Sequence, residues 1–184
     1  MIEVLSGCAV RATIQQEKAR AVISECGRYR YELRRPLESM LRWHRPILWI
    51  MLNPSTADAY KDDPTIRRCI NFSKTWGMTQ LLVGNLYALR ATDPKALRAP
   101  PGGIDAVGPL TDAHLDKMAC EAEVIVLAWG QLGPDKKRAE SLVARLAAYR
   151  HRMHVLGYTL SGVPRHPLMM PKTTELQPYA VSES

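Results

Sequence analysis

Three side chains combine useful chemistry with unusual placement: Asn53, Asn85 and His166. Asn53 ends the apolar run "ILWIML" and is followed by Pro54, Ser55, Thr56 and Asp58. Asn85 breaks a second apolar run, "LLVGNLY", and His166 lies between Arg165 and Pro167 in "GVPRHPL". A carboxamide offers both donors and an acceptor, and imidazole titrates near neutrality. Such groups can orient a water, match a polar ligand edge and donate to an oxygen. An amide does not take a proton near neutrality, so proton transfer needs a carboxylate: Asp58, Asp62 or Asp63. Asp58 reads equally as a site residue or a turn residue, and Asp63 also reads as a helix cap. Asn53 before proline reads also as a turn former. A mid-strand amide such as Asn85 must find hydrogen bonds.

Other chemistries find less support. The four cysteines, Cys8, Cys26, Cys69 and Cys120, form no C-x-x-C pair, so neither a zinc site nor an iron–sulfur cluster is expected. They are expected as reduced thiols. His44, His114, His151 and His154 show no ligand spacing. The phosphate-loop signature G-x-x-x-x-G-K-[ST] is absent. No apolar run approaches the roughly 18 residues that span a membrane. The first residues, "MIEVLSGCAVRAT", lack the pattern of a signal peptide. A cytoplasmic location is expected, with no membrane, metal or cofactor; the oligomeric state is open.

A formal charge of +7 and a pI near 9.4 fit a polyanionic partner, and equally a merely basic protein. Basic residues cluster at Lys136, Lys137 and Arg138, and "GRYRYELRRP" interleaves four Arg with two Tyr. Strand alternation there puts Tyr29 and Tyr31 on one face, expected inward, with Arg28 and Arg30 outward against phosphate.

These residues need elements to hold them. The 184 residues suit one domain, 1–184, with 1–18 an arm or short helix and 172–184 a tail. "ARAVISECGRYRYELRR" reads as a hairpin around Cys26-Gly27. "PILWIMLN", "QLLVGNLYAL", "EVIVLAWG" and "RMHVLGYT" read as four strands, the first three buried on both faces. Between them, "DDPTIRRCINFSKTWG" has Asp63 to cap, Pro64 at the first helical position and Gly77 to end a helix. Its inward face is Ile66, Cys69, Ile70 and Ser73. "TDAHLDKMACEA" presents Leu115, Met118, Ala119 and Ala122. "PDKKRAESLVARLAAYR" presents Ala139, Leu142, Val143, Leu146 and Ala147. Strands alternating with helices imply βαβ units and a mainly parallel sheet. Ligands bind such sheets beyond the carboxyl ends of the strands. There "NPSTAD", "GNLYALRAT", "WGQLG" and "TLSGVPRHPL" converge.

Over nearly its whole length the sequence resembles the bacterial and phage proteins of domain-of-unknown-function family 1643. The matching stretches are "CGRYRYEL", "MLNPSTADA", "DDPTIRRC", "NLYALRATDP", "LAWG" and "GVPRHPL". From about Ile47 to Leu168 the order of motifs also resembles, more distantly, the uracil-DNA glycosylase superfamily. "LNP" matches its water-activating strand end at Asn53, and "LLVGNLY" its base-reading Asn at Asn85. "LAWGQLGPDKK" matches its Trp-Gly turn, and "RHPL" its His-Pro loop at His166. The sequence departs in having His-Pro-Leu-Met where His-Pro-Ser-Pro is common, and in lacking the aromatic residue that stacks on uracil. The resemblance implies a three-layer α/β sandwich around a mainly parallel four-stranded sheet, here with an N-terminal β-hairpin. It implies a DNA glycosylase-like protein that hydrolyses the N-glycosidic bond of an unusual or modified base. Catalytic roles then fall to Asn53, His166 and Asp58. Contacts to base or nucleic acid fall to Pro54, Ser55, Asn85, Arg90, Trp129, Gly130 and Arg165; Trp129 reads also as core. The alternatives are a non-catalytic nucleic-acid or nucleotide binder that kept the fold, and an enzyme on free nucleosides.

Overall fold

The computed structural model describes residues 20–38, 43–55, 61–98, 100–131 and 136–180. The expected arm at 1–18 lies outside them. Ten main elements follow in order: β1 (Arg20–Ile23), β2 (Arg30–Pro36), β3 (Pro46–Met51), α1 (Pro64–Thr75), β4 (Gln80–Asn85), α2 (Thr111–Glu121), β5 (Val124–Leu127), α3 (Lys136–Arg145), β6 (Met153–Val155) and β7 (Gln177–Pro178).

The strands form one sheet in the order β1-β2-β4-β3-β5-β6-β7. The four central strands β4-β3-β5-β6 are parallel. These are the four expected from sequence, but the sheet has seven strands, not four. The hairpin β1–β2 adds antiparallel to β4, and β7 adds antiparallel to β6. β7 escaped notice because a two-residue strand carries no periodic pattern. Residues 177–178 therefore belong to the sheet, with Leu176 and Tyr179 packed against its two faces.

All six residues of β3 are buried, as a central strand covered on both sides requires. Its odd-numbered side chains Ile47, Trp49 and Met51 meet α1 through Ile66, Cys69 and Phe72. Its even-numbered Leu48 and Ile50 share a second core with Leu115 and Met118 of α2 and Leu142 of α3. The molecule is thus three layers. Trp49 is fully buried, stacks on Phe72 and Trp76, and donates Nε1–H to Ser73 Oγ at 3.0 Å.

Helix punctuation works largely as the sequence suggests. Asp63 Oδ1 accepts from the Ile66 amide at 2.8 Å, Pro64 opens α1, and Gly77 follows its end at φ +67°. Phe72 is buried where Ile70 was expected, because Ile70 only borders the core. Ala147 is exposed, since α3 ends at Arg145 and the chain continues as a 3₁₀ helix, Ala147–Arg152. Cys120 is disulfide-bonded, against the expectation of reduced thiols.

The arginines of β2 correct a second expectation. Arg30, expected outward against phosphate with Arg28, is buried, as are Arg34 and Arg35, while Arg28 is exposed. Arg34 donates to Glu32 at 2.8 Å and to both carboxylate oxygens of Glu121 at the end of α2. Arg35 donates to Asp62 at 2.9 Å. His114 Nδ1 lies 2.6 Å from Glu32 Oε1, and its ring stacks on Tyr31. Ion pairs therefore fasten the hairpin to α2 on one face and to the approach of α1 on the other. Burial by itself raises the Glu32 carboxyl, but hydrogen bonds from His114 and Arg34 outweigh it and hold the group below its usual range.

Candidate functional site

The crossovers leave β3 and β5 in opposite directions. β3 is followed by α1 on one face, and β5 by α3 on the other. Neighbouring strands that part in this way open a crevice at their carboxyl ends. A cavity of about 900 Å³ lies there. The end of β3 supplies Met51, Leu52, Asn53 and Ser55; the start of α1 supplies Asp63, Thr65 and Ile66. The segment after β4 adds Ala91, Thr92 and Pro94, and the end of β5 adds Trp129, Gly130 and Gln131. The stretch after β6 contributes Thr159, Leu160, Arg165, His166, Leu168 and Met169, and β2 contributes Arg30.

Asn53 is anchored. Its Nδ2 donates to Pro54 O at 3.0 Å and to Ala91 O at 2.8 Å, and the Ala91 amide donates to the same Pro54 carbonyl. Both amide hydrogens being spent, Oδ1 is left as an acceptor. Pro54 itself is buried behind this link and is not part of the cavity wall.

His166 is seated by Gly130. A Cβ on Gly130 would stand 2.9 Å from His166 Cβ, and its φ of +74° suits glycine. The Gly130 amide also donates to Pro164 O at 3.0 Å. His166 Nδ1 accepts from the Leu168 amide at 3.4 Å, which in the neutral ring leaves the proton on Nε2. Burial holds the imidazole below its ordinary pKa, against the opposing pull of the Asp63 carboxylate. Asp63, read from sequence as cap or carboxylate, thus caps α1 with one oxygen while bordering the cavity.

The loop carrying His166 is stiff. Tyr158 bridges Pro164, Thr159 N donates to Val163 O, and Arg165 Nε donates to Tyr158 O at 2.8 Å. Leu160 stands fully exposed at the tip of this small hairpin.

Two other expected residues fall elsewhere. Asn85 does not line the cavity. It is 2% exposed, and neither Nδ2 nor Oδ1 has a partner among the described residues. It pairs in register with Met51, which does line the cavity. Arg90 turns away: its Nη1 donates to Gly27 O at 3.2 Å and its amide to Arg28 O, tying the hairpin turn to the chain after β4. Asp58 lies outside the described residues.

Arg30 is a cavity residue that strand alternation hides. Ile23 pairs with Arg30 but Val22 pairs with Glu32, so Tyr31 is an extra residue, a β-bulge. Regular alternation would put Arg30 beside Glu32 and Arg34, toward α2. The bulge turns it to the opposite face and into the cavity wall. No residue type in "RYRYE" announces this.

The family model described as protein of unknown function (DUF1643) matches residues 30–168. The chain belongs to the DUF1643 family. The matched span begins at Arg30 and ends at Leu168, both on the cavity wall. No curated protein and no solved structure matches the chain. The more distant glycosylase resemblance gains nothing from these matches. Among the described residues, no helix is long and apolar enough to cross a membrane, and no group of three or more His, Cys, Asp or Glu is placed to hold a metal.

Proposed function

We propose that this DUF1643 protein hydrolyses the N-glycosidic bond of an unusual or modified base in DNA. One observation carries the reading: Asn53, Asp63 and His166, from three separate segments, border one cavity at the sheet's switch point. In this reading Asn53 Oδ1 orients a water against the sugar. The water oxygen bonds to C1′ as the C1′–N bond breaks, and that electron pair leaves with the base. The Asp63 carboxylate offsets the positive charge on the sugar and accepts the water's proton. His166 Nε2–H donates to the departing base where its negative charge gathers. Solvent then protonates the base and relieves Asp63. The base must leave its stack to reach such a site, and a basic protein favours the approach to phosphate.

The test is cleavage of duplex and single-stranded oligonucleotides carrying normal, deaminated and modified bases, followed by hot alkali. Base-specific breaks that fall about 100-fold or more in Asp63→Asn support the reading. No break on any substrate overturns it. A second reading, a binding module without catalysis, is favoured by the use of both Asn53 amide hydrogens as a backbone strut. It predicts tight binding with no abasic product.

A further inference from the structure

We propose that the cavity is built for a nucleobase bearing a bulky apolar substituent. This rests on the reading of the same site given above. Size is the first argument. A cavity of about 150 Å³ accommodates a benzene ring, so a two-ring base needs about twice that, and a sugar drawn in behind it about one ring more. An unmodified nucleoside then fills about half of the roughly 900 Å³ present.

The second argument is the wall. Among the described residues, the exposed large apolar side chains include Leu160, Leu168 and Met169. All three border this cavity. Leu160 is held out on its braced hairpin, and Met169 is 73% exposed. Apolar side chains left in water at a pocket mouth gain by being covered, and a grouping of them marks a contact site. Deeper in, Met51 and Ile66 extend the apolar wall, and methionine adapts to irregular shapes. Asn53, Asp63 and His166 suffice to orient a base and sugar; the remaining wall offers an apolar group more than it offers a polar one.

An exposed leucine beside such a pocket has another use, as a wedge in a duplex stack. Single strands separate the two, because they have no paired stack to wedge. The probes are single-stranded oligonucleotides with one 5-substituted uracil (hydrogen, methyl, propynyl or octadiynyl) or one N6-substituted adenine (hydrogen, methyl or benzyl). Affinity is read by fluorescence anisotropy at one fixed salt concentration. The expected result is a Kd that falls at least tenfold from the smallest to the largest substituent in one series. Leu160→Ser with Met169→Ser removes that gain; both side chains are exposed, and circular dichroism checks the fold. A flat or reversed ranking in both series, or no binding to any probe, overturns the proposal. So does a Leu160→Ser defect confined to duplexes. Ranked binding without strand cleavage supports this proposal and overturns the glycosylase reading. Cleavage of an unsubstituted base with no ranking overturns this proposal and leaves that reading standing.

Discussion

Asp63 carries two roles that substitution can separate. Asparagine caps a helix about as well as aspartate, so Asp63→Asn keeps stability within about 0.5 kcal/mol while removing the cavity's carboxylate. Asp63→Ala also loses the cap and costs about 1 kcal/mol in urea unfolding. Asn85 behaves in the opposite way. Its buried, unpartnered amide carries a penalty of about 1–3 kcal/mol. Asn85→Leu is expected to raise the denaturation midpoint; a lower midpoint would show the amide to be satisfied. His166 sets a pH dependence. Its folded pKa is depressed below 6.5 by burial, so on acidification the unfolded chain takes the proton first. Stability therefore falls as pH drops from about 6.5 toward the folded value, then levels. His166→Gln should flatten that limb in unfolding measurements from pH 8 to 5. The Glu32 carboxyl, depressed from 4.5, acts only at lower pH. Asn53 and His166 were legible in the sequence because each interrupts an apolar or proline-flanked context that packing alone does not explain. Arg30 was not, because a bulge is a register event between two strands and leaves no mark on either.

At the level of elements, the close approach of the β5 turn to the His166 loop is the joint most open to test. Gly130→Ala forces a side chain into positive φ and against His166 Cβ. A loss of about 1–3 kcal/mol is expected, with cavity chemistry falling further than stability if His166 is displaced. The hairpin offers a different joint. Arg34 and Glu32 are both almost wholly buried, so Arg34→Ala removes a charged partner from a buried carboxylate that keeps His114, and costs about 1.5–3 kcal/mol. Calorimetry showing less than 1 kcal/mol would mean the hairpin docks through its apolar contacts alone. The four parallel strands and three helices were legible because apolar runs and helix caps are local signals. The sheet's growth to seven strands was not. β2 reads as a basic, surface-like strand, yet Glu32 and Glu121 neutralise Arg34, Asp62 neutralises Arg35, and these pairs allow the strand inside.

For the whole molecule, charge is the property that decides the partner. Seven net positive charges predict that DNA affinity falls steeply and log-linearly with salt. A flat salt dependence would instead point to a small ligand held within the cavity. The described tryptophans provide the means to follow such events. Trp43 is 70% exposed, Trp49 is sealed in the core beside Trp76, and Trp129 is 5% exposed on the cavity wall. Trp43 stands in water while Trp49 and Trp129 are buried, so emission colour separates the first from the other two. Blue-shifted light from Trp49 follows global unfolding, and iodide quenches Trp43 first. Trp129, isolated by replacing the other three with phenylalanine, becomes an optical gauge of cavity filling that needs no label and no knowledge of the ligand.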